Sequence, residues 1–152
     1  EVKRPIWIVL NSPGGLVNLG FAIYDLIRSV VTAGTEVNIL GMGNVASMAA
    51  VILQAGSKRF ALPNTQFLIH EVRQTVFSIN ETASEGEERA EENKRINRIV
   101  MGLIAERAGI PINELLALSK KKECWYDAQG ALKLGTTGLI DEVVLSLPIK
   151  FS

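Results

Sequence analysis

Two short stretches of this 152-residue chain carry residue types suited to acyl transfer. The first is Gly43-Asn44-Val45-Ala46-Ser47-Met48-Ala49-Ala50, where an apolar run gives way to a glycine-bearing turn and a helix start. The second, Ser12-Pro13-Gly14-Gly15, has the same design. At a helix start the first backbone N–H groups lack an internal acceptor and lie at the positive end of the helix dipole, which suits a developing oxyanion. Glycine at 14 and 15 removes the Cβ and lets the main chain approach a ligand closely. A serine at such a turn can present its hydroxyl outward, with the N–H of the next residue, Met48, directed at the oxygen that becomes charged. The plainer role for a serine at a helix start is an N-cap.

A serine nucleophile needs a base, and His70 is the single histidine of the chain. It closes the apolar run Phe67-Leu68-Ile69. The group that would orient its imidazole is open at this point. Glu71 is adjacent, but neighbouring strand residues point to opposite faces. Glu123 and Asp127 stand on a later segment that the fold must bring in. The lone Cys124 has no imidazole partner in sequence and reads as a small buried hydrophobe.

The elements that must position these groups alternate between short apolar runs and longer helical ones. Ile6 to Leu10 is continuous and apolar, as in a strand covered on both faces. A turn follows at 11–15, then a helix over Leu16 to Val31, apolar around most of its circumference and so expected to be largely buried. Strands are expected over Val37 to Leu40, Arg59 to Leu62, Gln66 to His70 and Thr75 to Ile79, with Gly41 to Ser47 as a turn. Met48 to Ala55 reads as a short helix stopped by Gly56. One long helix runs from about Glu81 to Ala108, capped through Ser78 with Glu81 or Thr82 with Glu85. Its first half is charged, with Glu85/Arg89 and Glu91/Arg95 at the supportive spacing. Its second half carries the stripe Ile96, Ile99, Val100, Leu103, Ile104. A short helix begins at Pro111, and Asp127 caps a last one through Leu134. Ile140 to Leu145 closes with a strand. Repeated strand–turn–helix units predict an α/β domain with substantial parallel pairing over residues 1–152.

Composition removes several function classes. Lys plus Arg equals Asp plus Glu, 16 against 16, so charge gives no reason to expect nucleic acid or an anionic membrane as partner. No run approaches the roughly 20 apolar residues of a membrane span. One Cys and one His leave little for a metal centre or a disulfide framework, and a reducing, cytoplasmic setting is expected.

An ordered series of motifs spans most of the chain: Asn11-Ser12-Pro13-Gly14-Gly15, Ala22-Ile23-Tyr24-Asp25, Ala46-Ser47-Met48-Ala49-Ala50, Lys58-Arg59-Phe60-Ala61-Leu62-Pro63-Asn64, Ile69-His70 and Gly138-Leu139-Ile140-Asp141-Glu142-Val143. This series resembles the proteolytic subunit of the Clp protease family. The resemblance implies the ClpP/crotonase-like α/β fold with a protruding handle helix, and a serine endopeptidase acting on unfolded proteins or short peptides. Ser47 would be the nucleophile, His70 the base, and the Gly15 and Met48 N–H groups the oxyanion hole. The family's aspartate maps onto Glu123. The resemblance further implies no cofactor, a homo-oligomer of stacked heptameric rings that meet through the handle helix, and an AAA+ unfoldase as partner. The family's N-terminal segment, which bears on unfoldase binding, is not among these residues.

Several departures stand out. Glu123 is one methylene longer than the family's aspartate. Glu71-Val72 replaces a Gln-Pro pair, and Gln74-Thr75 replaces a glycine pair on the strand that pairs with substrate. Thr136-Thr137-Gly138 reads as a short insertion. The altered acid and substrate strand keep an inactive structural ring subunit in view, and the shared fold keeps a crotonase-type acyl-CoA enzyme in view, which would need an adenine-nucleotide site that the sequence does not display.

Overall fold

A computed structural model of the chain describes residues 4–73, 80–120 and 122–147. The expected strand over Thr75 to Ile79 and the alternative cap at Ser78 lie outside the described residues, as does Lys121.

The organising element is a ten-residue strand. β1 (Ile6–Ser12) lies parallel to β2 (Val37–Ala46) on one edge, starting from the pair Ile6 and Val37. On the other edge β2 is shared. Its first half pairs in parallel with β3 (Lys58–Ala61), and its last three residues pair with β4 (Gln66–Ile69). β5 (Cys124–Tyr126) adds to β4 antiparallel, and the two-residue β6 (Glu142–Val143) adds to β3. The α/β, mainly parallel architecture therefore matches the reading from sequence.

Gly41 to Ser47 is not the expected turn. The strand runs on to Ala46 through a bulge, in which Leu10 faces Gly41 but Ser12 faces Val45. Gly43 adopts φ 73° there, and the Asn11 carboxamide oxygen accepts the Asn44 N–H at 3.1 Å, so the bulged backbone keeps a partner. The closing strand shrinks from the expected 140–145 to residues 142 and 143, and β5 was not anticipated.

The helices flank this sheet. α1 (Val17–Thr32) buries Gly20 and Ile27, while Val17, Phe21 and Tyr24 pack against the core. It is not largely buried as expected: Leu16 just before it, with Leu19, Ile23 and Leu26 within it, is exposed, Leu16 at 73% and Leu26 at 65%. Those residues recur at helical spacing on one side, and nothing among the described residues covers them. α2 (Met48–Leu53) is almost entirely buried and meets α1 where Gly20 has no Cβ; one placed there would fall 2.1 Å from the Met48 side chain.

α3 (Ala83–Ala108) carries a complete capping box: Glu85 N–H donates to Thr82 Oγ1, and the Glu85 carboxylate accepts from the Thr82 N–H. That use of Glu85 explains why the expected Glu85/Arg89 pair is absent. Arg89 reaches back to Glu81 at 2.6 Å, and Arg95 pairs with Glu92 rather than Glu91. The last turns of α3 bury Val100, Met101, Ile104, Ala105 and Ala108. α4 (Ile112–Ser119) follows Pro111, and α5 (Ala128–Leu132) is capped by Asp127, whose carboxylate accepts the Gly130 N–H at 2.7 Å.

Below the sheet's other end lies a buried polar knot. The Arg59 guanidinium, 2% exposed, donates to Gln54, to both Asp141 oxygens and to the Gly138 carbonyl. Gln54 in turn donates to the Ala50 and Leu139 carbonyls, tying the base of α2 to the 137–141 loop.

Candidate active site

Ser47 takes φ 56° and ψ −123°, the single non-glycine with positive φ among the described residues. Backbone strain of this kind costs on the order of 1–3 kcal/mol and persists only where the surroundings impose it. Here β2 enters from one side, α2 leaves on the other, and the Ser47 N–H is fixed to the Leu68 carbonyl at 2.9 Å. Ser47 stands at the N-cap position of α2, yet its side chain makes no capping bond. The plainer role considered for this serine is therefore unfilled, and its hydroxyl is left for other work.

The glycine pair lies against this elbow. A Cβ on Gly14, at φ 97°, would fall 2.7 Å from the Ala46 carbonyl oxygen and 2.8 Å from Ser47 Cβ, so only glycine fits. Gly15 has open space in front of it. Gly15, Ser47, Met48 and His70 all line one cavity, walled by Val51, Ile69, Val100, Met101 and Ile104. Met48 is the first residue of α2, so its N–H precedes any intrahelical acceptor.

His70 follows directly on β4, and its Nδ1 lies 2.6 Å from the Glu71 carbonyl oxygen. A carbonyl can only accept, so Nδ1 carries the proton and, in the neutral ring, Nε2 holds the free lone pair. Ser47 and the imidazole share the cavity without a hydrogen bond between them.

Glu123 is positioned by the strand that sequence reasoning missed. β4 and β5 pair Phe67 with Tyr126, Leu68 with Trp125 and Ile69 with Cys124. The pairing ends there, and one further step in the same register would bring His70 across from Glu123. The Glu123 carboxylate is engaged elsewhere: Arg73 Nη2 donates to Oε1 at 3.2 Å and Trp125 Nε1 to Oε2 at 3.3 Å. Asp127 is occupied as the α5 cap.

Arg73 is the residue that motif reading passed over. It lines the same cavity as Ser47 and His70, and the segment before it is held to α3 by the Val72 N–H donating to Asn97 at 3.0 Å. Its signal in the sequence was only a cation three residues beyond the histidine. Among the described residues no cluster of His, Cys, Asp and Glu has the arrangement of a metal site, and no helix is long and apolar enough to cross a membrane.

Comparison with known proteins decides the family. The family model described as Clp protease matches residues 1–146. The chain belongs to the Clp protease family. This Clp protease chain is 36% identical over 152 residues to the ATP-dependent Clp protease proteolytic subunit 2 of Treponema denticola, covering 99% of the chain and 72% of that relative. It is 34% identical over 148 residues to the subunit 2 of Thermobifida fusca, and 33% identical over 148 residues to that of Chlamydia abortus. Those alignments cover 96% of the chain and, respectively, 68% and 67% of the relatives. By family it is a serine-type peptidase.

Proposed function

We propose that this chain hydrolyses peptide bonds of unfolded proteins or short peptides through an acyl-enzyme on Ser47. The observation that carries the reading is the strained, uncapped Ser47 sharing one cavity with the sole imidazole, with Gly15 and with Met48, the first residue of α2. Ser47 Oγ attacks the scissile carbonyl carbon while His70 Nε2 takes the hydroxyl proton. The Gly15 and Met48 N–H groups hold the resulting oxyanion. His70 then gives its proton to the leaving amine, the C–N bond breaks, and an ester to Ser47 remains. Water attacks that ester by the same steps and regenerates the serine. The chemistry needs no cofactor.

Glu123 is the group we assign to orient His70, supported by the β4–β5 register. Its approach requires the imidazole to leave the Glu71 carbonyl and the carboxylate to leave Arg73, rearrangements in keeping with the loose geometry of substrate-free active sites.

The assembly we propose is a ring homo-oligomer within the cytoplasm, served by an AAA+ unfoldase. The exposed stripe of Leu16, Leu19, Ile23 and Leu26 supports a ring contact, because an apolar face of that regularity is rarely left in water. The charged first half of α3 supports the handle role.

A fluorophosphonate probe tests the chemistry. It should add its mass to the peptide containing Ser47, and Ser47→Ala should lose both labelling and hydrolysis, turnover falling about 10³-fold or more with the melting temperature retained. The engagement of His70 and Glu123 with other partners favours one rival, a silent ring subunit. Absent labelling, with turnover appearing only on mixing with a second subunit type, would establish that rival instead.

A further inference from the structure

We infer that Arg73 is a positioning residue that governs whether Glu123 reaches His70. This deepens the peptidase reading and rests on it.

Three observations converge. The β4–β5 register ends at Ile69 and Cys124, and carrying it one step further would bring Glu123 opposite His70. The Glu123 carboxylate nonetheless turns to Arg73, 3.2 Å away, with its second oxygen on Trp125. His70, lacking a carboxylate, donates its Nδ1 proton to the carbonyl of its own neighbour. For the two to meet, the Nδ1 proton must leave the Glu71 carbonyl and the Glu123 carboxylate must turn away from Arg73 and Trp125. Arg73 and His70 therefore compete for one carboxylate.

The hold of Arg73 on this carboxylate is weak. Arg73 and Glu123 side chains are 65% and 44% exposed, and ion pairs this open to water are weak and readily exchanged. Arg73 can thus bias the position of Glu123 without locking it. Because Arg73 acts on the orientation of the base, its removal should change the rate of the chemical step rather than substrate binding.

The experiment is a cycle of variants assayed on a fluorogenic peptide with the oligomer intact. Arg73→Gln should raise kcat about two- to fivefold, the range that a weak exposed pair can supply, with KM unchanged. Arg73→Lys, which keeps a cation, should stay near the parent. In a Glu123→Gln background the Arg73→Gln change should have no effect. With Ser47 still labelled by the fluorophosphonate, an unchanged or lowered kcat in Arg73→Gln would overturn the inference and leave the peptidase reading standing. So would the same rise in the Glu123→Gln background, or a change confined to KM. A parent protein whose Ser47 takes no label would remove the underlying reading, and this inference with it.

Discussion

Two of the arginine–carboxylate pairs, Arg59–Asp141 and Arg73–Glu123, differ in almost every respect of their settings. Arg59 is 2% exposed and distributes its guanidinium protons over Gln54, Asp141 and main-chain carbonyls of the 137–141 loop. Arg73 is exposed, with one bond to Glu123. Burying an arginine is tolerable only when every donor finds a partner, and the reward is a unique geometry. Leaving one in water gives up that rigidity and keeps the partner exchangeable. The first pair fixes the base of α2, the helix whose opposite end carries Ser47; the second lies in the cavity lined by His70, for which we propose the role of general base. Structure is held by the saturated pair, and adjustment is left to the unsaturated one.

The sharpest way to break this comparison is to remove the buried cation. Arg59→Leu should destabilise the chain by about 3–5 kcal/mol, because it strands Gln54 and several buried carbonyls as well as Asp141. That corresponds to a fall in melting temperature of roughly 6–20 °C by calorimetry. A fall of a degree or two would mean that the knot is not structural.

Acid should separate the pairs next. Burial alone pushes the Asp141 carboxyl up, but hydrogen bonds from the Arg59 side chain and N–H, together with its charge, outweigh that and hold Asp141 below the usual aspartate range. A carboxylate depressed in the folded state contributes stability that is complete above its unfolded value and is lost as pH falls through the folded one. Melting temperature should therefore decline as pH drops below the ordinary aspartate range, about 3.9, and Asp141→Asn should start lower and decline less steeply. Glu36, Glu85 and Glu92 are depressed too, by hydrogen bonds from Asn38, Thr82 and Arg95 respectively, so some slope should survive in the variant. Parallel curves for parent and variant would count against the assignment.

The smallest expected effect is the most telling. Arg73→Gln should leave the melting temperature within about 2 °C of the parent, as for other exposed ion pairs, even while it alters turnover. A large loss of stability there would erase the distinction between the two pairs.

Much of this was legible in the residues, for identifiable reasons. Ser47, His70 and the glycine pair announce themselves because their chemistry demands particular residue types next to helix starts, and Asp127 because a cap has a local signature. The long α3 was readable from its capping box and its change from charge to apolar stripe. What escaped was set by contacts distant in sequence. β5 is only three residues, Cys124-Trp125-Tyr126, and becomes a strand because the edge of β4 is there to pair with. The continuation of β2 past Gly41 depends on Asn11 satisfying a bulge. The degree of burial of α1 was overestimated because an apolar circumference says that a face will be covered, not that its own chain covers it. Arg73 was missed because its significance lies in a carboxylate 50 positions away.

The threefold pairing of β2 has a kinetic corollary. Local opening is rarest where a segment is hydrogen-bonded on both edges, and Ser47, the nucleophile we propose, is the residue that leaves the end of that strand. The imidazole instead follows a four-residue strand, past its last paired position. Amide hydrogens around Val45 and Ala46 should thus be among the slowest to exchange with deuterated solvent, and those at 70–73 among the quickest near the cavity. Fluctuation is partitioned within the proposed catalytic centre: Ser47 rides on the end of a strand paired on both edges, and His70 rides on a loose end.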